Sequence, residues 1–264
     1  MPTIATWNVN SVKARLPAVL DWLKSFAPDV ALLQEIKCRD ADFPELEFRA
    51  LGYDLAVHGQ KSYNGVAILS KIGLSDVARG LPGDAEDVQA RYLEATVGDG
   101  LRVVALYLPN GNPVAEGGGL SAKFAYKLAW MERLNAHAAT LLRSGTPTVI
   151  GGDFNVIPTP MDCYDAALWA GDALMRPETR SRFSALSHQG WTDAVRAYNP
   201  DPGLYSFWDY QAGAWAKNHG LRIDFLLASP GAADALTAAG IDTAPRGREK
   251  ASDHTPVWCR LAMP

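Results

Sequence analysis

The sequence predicts one layered α/β domain, and three observations carry that prediction. Short β-rich runs alternate with amphipathic helical segments from end to end, as mixed layered folds require. No Ser-, Pro- or Gly-rich linker divides the 264 residues, so the whole of 1–264 is expected to fold as a single domain. A hydrophobic fraction of 48% with a charged fraction of 20% belongs to a chain with a sizeable core and excludes disordered, collagen-like and coiled-coil classes.

Ile4–Val9 reads as a strand, after which Leu16, Val19, Leu20, Leu23 and Phe26 recur at helical spacing until Pro28. Val30–Leu33 is an apolar run that stops abruptly at Gln34-Glu35, as a buried strand does. Gly65–Ser70, Leu93–Val97 and Arg102–Tyr107 are further strands. Gly111–Gly119 lies between a strand and its helix and is read as a functional loop. The long helix is bounded by Ser121 as N-cap and Gly145 as stop, with Phe124, Leu128, Met131, Leu134, Ala138 and Leu141 on one apolar face. Pro147–Ile150 is a strand ending at Gly151-Gly152-Asp153. Pro177 opens a helix that runs to Gly190, and Ser229-Pro230 is expected to open another that ends at Gly240. Helix, Pro28, strand and Glu35 echo helix, Pro147, strand and Asp153, so two similar halves could face their carboxylates across one cleft.

Charge and cysteine content narrow the setting. Twenty-five basic residues against 29 acidic give a net charge of −4, which counts against coating nucleic acid by bulk electrostatics. Cys38, Cys163 and Cys259 are few, odd in number and far apart, favouring a reducing compartment over a disulfide framework or a structural zinc site. No apolar run reaches the roughly 18 residues of a membrane span, and Met1-Pro2-Thr3 leads directly into a strand. A cytoplasmic monomer with no membrane partner is expected.

Five segments place acidic, amide or imidazole groups at the ends of apolar strands: Asn8 with Asn10, Gln34-Glu35, Asp153 with Asn155, Asp224, and Asp253-His254. Turn capping accounts for any one of them, but not for His254 beside Asp253 or for Asp153 two residues before Asn155. Glu35 and Asp253 offer the hard oxygen donors that Mg²⁺ prefers. Asp153 suits proton abstraction from water, and Asn155 could orient that water. A protonated His254, held by Asp224, could donate to developing negative charge, as could the Tyr107 hydroxyl beside Asn110. Together they suit metal-assisted hydrolysis of a phosphate ester by in-line attack of water. GxSxG and Walker-type motifs are absent from the sequence.

The stretches TWNVNSVKARL, PDVALLQEIK, YNGVAILSK, ALYLPNGN, VIGGDFNVIPTPMD, YSFWDYQAGAWAKNHGLRIDFLLAS and SDHTPVW span residues 6–258. With them the chain resembles the exonuclease III type, the abasic-site endonuclease branch of the endonuclease/exonuclease/phosphatase superfamily. GDFN and SDH mark the superfamily, whereas FWDY followed by LRIDFLLAS marks the DNA-repair branch. The resemblance implies a four-layered sandwich of two packed mixed β-sheets flanked by helices, with the site at one edge. It places Asn8, Glu35 and Asp253 at a Mg²⁺ or Mn²⁺ site, Asp153 as the water-activating group and Asn155 as its support. Tyr107 and His254 would contact the scissile phosphate, and Asp224 would pair with the histidine. The implied substrate is duplex DNA carrying abasic sites, cut on their 5′ side, or blocked 3′ ends, with 3′–5′ exonuclease action alongside.

The resemblance also makes Phe207, with Leu221 and Ile223 close to Asp224, the wall of an apolar pocket for a flipped nucleotide that lacks its base. Core packing is retained for Trp7, Trp22 and Trp130, and His137, His188 and His219 are read as structural. Lys123 and Lys127, one helical turn apart, are expected to be solvated. Arg246, Arg248 and Lys250 precede Asp253-His254, and for them a solvated face and phosphate contact stand level. Two rival functions remain: hydrolysis of another phosphate ester on the same scaffold, and a binding module that has lost its chemistry.

Overall fold

The computed structural model describes residues 1–263. Its strands, in chain order, are β1 (Thr3–Asn8), β2 (Val30–Gln34), β3 (Asp54–His58), β4 (Val66–Ser70), β5 (Leu74–Arg79), β6 (Tyr92–Val97), β7 (Leu101–Tyr107), β8 (Ala115–Glu116), β9 (Gly119–Leu120), β10 (Thr148–Asp153), β11 (Thr192–Asp193), β12 (Asp224–Ala228), β13 (Leu236–Ile241) and β14 (Val257–Leu261). One six-stranded sheet runs β13-β14-β1-β2-β4-β3 and the other β11-β12-β10-β7-β6-β5. Each is mixed: β1 pairs parallel with β2, and β7 parallel with β10, while their other neighbours are antiparallel.

Alternation along the central strands explains the layering. In β1 and β2, Ile4, Val30 and Leu32 enter the core between the sheets, where they meet Val103, Ala105 and Leu226 of the second sheet. Ala5, Trp7, Ala31 and Leu33 point the other way, onto Val19, Trp22 and Leu23 of helix Leu16–Ser25. Across the molecule Val104, Leu106 and Ile150 pack under Trp130, Met131 and Leu134 of helix Ala122–Ser144 and Phe183 of helix Pro177–Gln189. Strands buried on both faces read as continuous apolar runs, which is how they announced themselves in the sequence. The result is helix, sheet, sheet, helix. Among the described residues, no helix is long and apolar enough to cross a membrane.

The two glycines before Asp153 are demanded by close approach. A Cβ on Gly151 would lie 2.6 Å from Leu32 Cδ1 and 2.7 Å from Leu226 Cδ2 in the packed core. One on Gly152 would lie 1.9 Å from the Leu106 carbonyl oxygen. The long helix begins and ends where expected, with Ser121 Oγ accepting from Phe124 N (3.0 Å) and Gly145 left-handed at φ 70°. Trp7, Trp22 and Trp130 are core residues.

Three expectations are corrected. The helix opened by Pro230 ends at Ala233, and Leu236–Ile241 is an edge strand antiparallel to β14. Its alanine-rich composition favours a helix locally, but the open edge of β14 offers a ladder that outweighs that weak preference. The Gly111–Gly119 loop carries a small hairpin of β8 and β9. Lys127 is not solvated: it is 0% exposed, and its Nζ donates to the carbonyls of Asn110 (3.0 Å) and Asn155 (2.6 Å).

Candidate active site

Strand register assembles the site. Asp153, the last residue of β10, stands level with Tyr107 at the end of β7 on one side and with Asp224 at the start of β12 on the other. In the facing sheet Asn8 closes β1 beside Gln34 of β2, so Glu35 follows at the same edge. Asp253 and His254 arrive on the loop before β14. Thus the two halves do present Glu35 and Asp153 to one cleft, at the shared edge of the two sheets.

Asn8 ties those carboxylates together. Its Nδ2 donates to Glu35 Oε1 (2.8 Å) and to Asp153 Oδ2 (3.0 Å), while its Oδ1 accepts from Asn10 N (3.0 Å). Asp153 is 1% exposed, and its Oδ1 accepts from the backbone N of Asn155 at 2.8 Å. That turn requires a left-handed Asn155 (φ 48°), matched by left-handed Glu35 (φ 50°) and Asn10 (φ 43°) across the cleft. Backbone strain of this kind persists only where the surroundings over-determine it. The Asn155 side chain is itself fixed, donating to Leu108 O (2.9 Å) and accepting from Asn110 Nδ2 (3.1 Å).

His254 is 4% exposed, and its Nδ1 lies 2.8 Å from Asp224 Oδ2. Ser206, which the sequence did not flag, donates to that same oxygen at 2.6 Å and accepts from the backbone N–H groups of Ile223 and Asp224. His254 Nε2 is 3.7 Å from Asp153 Oδ2, beyond hydrogen-bond range, so it is free to donate to a third group. Burial would lower the histidine pKa, but Asp224 and Asp153 outweigh it and push it up to about 10. Asp153 is pushed up to about 7 by burial, with Asp224 and Glu35 adding to the rise and His254 opposing it. Burial would raise Glu35, yet hydrogen bonds from Asn8 and Lys37 hold it below the usual carboxylate range. Burial and the neighbouring Glu35 and Asp153 carboxylates keep the Tyr107 phenol protonated, well above its usual range. Near neutrality the cleft therefore pairs an imidazolium with a carboxyl group poised to accept a proton.

Lys37, also missed in the sequence, lies 2.8 Å from Glu35 Oε2 and 2.5 Å from Asn10 Oδ1. Asn10 Nδ2 in turn donates to Asp253 Oδ1 at 3.0 Å. Single ligand atoms of Glu35, Asp153 and His254 lie within 4.8 Å of one another, a group that does not include Asp253; with His254 protonated, its two carboxylates are the donors open to a metal ion. A cleft of about 280 Å³ opens over these groups, lined on its polar side by Asn110 and Asn112. Its apolar wall is Phe207, Leu221 and Ile223, together with Trp169 and Leu174. Phe207 bridges Leu221 and His254 through isolated backbone pairs, and its ring stands edge-on to the imidazole at 4.9 Å. Trp169 follows an Asp165 N-cap that could have marked a short helix in the sequence, but nothing local pointed it toward the cleft.

Comparison with known proteins agrees with this geometry. Residues 5–254 match the Endonuclease/Exonuclease/phosphatase family. The chain is 33% identical over 266 residues to exodeoxyribonuclease III of Haemophilus influenzae, covering 97% of this chain and 98% of that one. Its fold superposes with a TM-score of 0.94 on an AP endonuclease from Archaeoglobus fulgidus, at 34% identity and with 100% of both chains covered. The 3′ phosphatase NExo from Neisseria, solved with a product DNA hairpin, gives a TM-score of 0.94 at 36% identity, with 99% of each chain covered. The chain is a hydrolase of the endonuclease/exonuclease/phosphatase family, on the branch that includes exodeoxyribonuclease III.

Proposed function

We propose that the protein is a metal-dependent DNA-repair nuclease that hydrolyses the phosphodiester 5′ to abasic sites in duplex DNA and also clears blocked 3′ ends. The observation that carries this reading is Asp153, fixed by Asn155 N and Asn8 Nδ2 between Glu35 and a cationic His254. Its relatives add weight: they include an exodeoxyribonuclease III, an AP endonuclease and a 3′ phosphatase bound to DNA.

The chain's own groups suit each part of the reaction. Asp153, with a pKa raised to about 7, takes a proton from the attacking water at neutral pH. Asn155 keeps that carboxylate oriented through its backbone N–H. His254 and Tyr107, both holding their protons, donate to the scissile phosphoryl oxygens as charge builds on them. Asp224, steadied by Ser206, keeps the imidazole charged and in place. Asn110 anchors the Asn155 side chain and lines the rim of the cleft. Phe207, Leu221 and Ile223 give the sugar of a baseless nucleotide an apolar wall with no partners for a base.

The donor set fits a hard divalent cation. Glu35 Oε2 and Asn10 Oδ1 already converge on the positive charge of Lys37, and Asp253 is joined to them through Asn10. Glu35 and Asp253 would hold Mg²⁺, or Mn²⁺ in its place, with Asn8 at its edge fixing Glu35. When bound, the ion supplies neutralisation of charge on the phosphoryl and leaving oxygens. The reading is tested by presenting three end-labelled duplexes: one with a tetrahydrofuran abasic analogue, one with a 3′-phosphate, and one with an ordinary 3′ end. Metal-dependent cutting 5′ to the analogue is the expected result. Removal of 3′ groups with the analogue left intact would confine the enzyme to 3′-end work.

A further inference from the structure

Leu221 and Ile223 line the apolar wall of the cleft, whereas Arg222 between them lines a separate concavity on the other face, with Asp162, Asp193 and Arg196. The wall is thinly held. Strand β12 begins only at Asp224, and Leu221 meets Cys163 and Phe207 through isolated bridges rather than a continuous ladder. The next two backbone links are single bonds: Arg222 N donates to Asp162 O (2.8 Å), and Ile223 O accepts from Phe154 N (2.9 Å). A segment pinned at separate points depends on its side chains for an exact position.

Arg222 supplies that from behind. Its side chain is 3% exposed, with Nε 2.8 Å from Asp162 Oδ1 and Nη1 2.6 Å from Asp193 Oδ2. Its guanidinium also packs 4.6 Å from the centre of the Phe225 ring. Both carboxylates are themselves fixed. Asp162 Oδ1 lies 2.6 Å from Arg196 Nη2, and its Oδ2 accepts from Thr159 N (3.0 Å) and Thr159 Oγ1 (2.7 Å). Asp193 Oδ1 accepts from the backbone N–H groups of Val195 and Arg196, capping helix Ala194–Tyr198. Two guanidinium groups thus meet two carboxylates drawn from the turn after β10 and the end of β11. A buried cluster of this kind adds little stability over an apolar filling of the same volume. What its directional, charge-assisted bonds do add is a fixed geometry.

We propose that Arg222 is a positioning residue: by bracing the backbone between Leu221 and Ile223, it sets the apolar wall and so the recognition of a baseless sugar. The proposal rests on the nuclease reading and deepens it. Chemistry separates this role from general support of the fold. In incision 5′ to an abasic site and in removal of a 3′-phosphate, the bond between phosphorus and the 3′ oxygen breaks. A bond from phosphorus to the water oxygen forms, and the 3′ oxygen leaves as a hydroxyl. In the first reaction the phosphate still carries the baseless sugar on its far side, whereas in the second it carries none. Only incision at the abasic site needs the wall.

The test compares the wild type with Arg222→Lys, Asp193→Asn and the double variant, on a tetrahydrofuran duplex and on a duplex ending in a 3′-phosphate. Lysine replaces a two-pronged donor by a single point charge. Asp193→Asn is the milder change, since asparagine still caps the helix while one anchor of Arg222 is lost. For both single variants kcat/KM on the tetrahydrofuran duplex should fall about tenfold, the scale on which an apolar pocket discriminates. Removal of the 3′-phosphate should stay within about twofold of the wild type. The double variant should lose little more than the worse single one, because both substitutions release the same brace. An equal fall in the two reactions would reduce Arg222 to support of the whole fold and overturn the proposal, as would unchanged incision in both single variants. Failure of the wild type to cut the tetrahydrofuran duplex would overturn the nuclease reading with it.

Discussion

Replacing Asp224 by Asn should disable the enzyme by discharging His254 rather than by disturbing the fold. Asp224 Oδ2 lies 2.8 Å from His254 Nδ1 and heads the interactions that push the imidazole up from 6.5 to about 10. Burial works in the opposite direction and is the larger single influence on this ring, which is 4% exposed. With the Asp224 charge removed, only Asp153 and, more weakly, Asp253 are left to oppose burial, and the pKa should fall to about 6 or below. At about pH 8 roughly 1% of the enzyme would then hold the imidazolium, so kcat should drop about 100-fold. That is also the usual loss when one donor to developing negative charge is removed. The assay is single-turnover cleavage of the abasic duplex in Mg²⁺ at about pH 8, with the His254 ring titrated by nitrogen-edited NMR. Asparagine preserves the size of the side chain, so folding should survive. A variant that cuts at the wild-type rate at this pH, or whose His254 still titrates near 10, would refute the reasoning.

Three further outcomes are expected. Ser206→Ala removes the 2.6 Å donor to Asp224 and should lower kcat about tenfold with little change in KM, read from steady-state kinetics. Lys127→Met should lower both Tm and kcat, by about 2 kcal/mol of stability in the first case, because the carbonyls of Asn110 and Asn155 lose their shared buried donor. Glu94→Gln tests stability far from the site. Burial would raise Glu94, but hydrogen bonds from His137, Arg102 and Tyr92 bring it down to about 2. A depressed carboxylate stabilises fully above its unfolded pKa of about 4.5, and that contribution is lost as pH falls through about 2. Urea unfolding at neutral pH should show the variant less stable by about 1–2 kcal/mol once solvent screening is allowed for, with the difference vanishing toward pH 2.

What was legible in the sequence follows from how locally each feature is determined. β1, β2, β7 and β10 are buried on both faces, so their apolar runs stand out, and the polar groups at their ends mark the edge where the sheets converge. Ser121 and Gly145 fix the long helix because caps act within a few residues. β3 and β5 are partly exposed edge strands without clean alternation, and they were not legible. Leu236–Ile241 looked helical because its pairing partner, β14, lies about twenty residues further along the chain. Asn8, Glu35, Asp153, Asp224 and His254 were recognisable by residue type and position at strand ends. Ser206, Lys37, Lys127 and Trp169 were not, since each takes its role from tertiary contacts. Lys127 is the clearest case: a lysine at a surface-looking helical position is drawn inward by two carbonyls from loops 17 and 28 residues away.

The central claim is that Asp153 activates water in a metal-assisted hydrolysis whose phosphate is held by His254 and Tyr107. The most direct measurement is single-turnover incision of an end-labelled duplex with one tetrahydrofuran analogue, comparing wild type in Mg²⁺, wild type in EDTA, and Asp153→Asn in Mg²⁺. Asparagine can still accept from Asn155 N through its Oδ1, while its Nδ2 replaces the oxygen that accepts from Asn8 Nδ2 and the proton acceptor is removed. Rapid cutting 5′ to the analogue is expected in the first case and none in the second. The third should be slower by about 10³-fold or more, with DNA affinity retained. Wild-type rates in the Asp153→Asn variant, or undiminished cutting in EDTA, would contradict the claim.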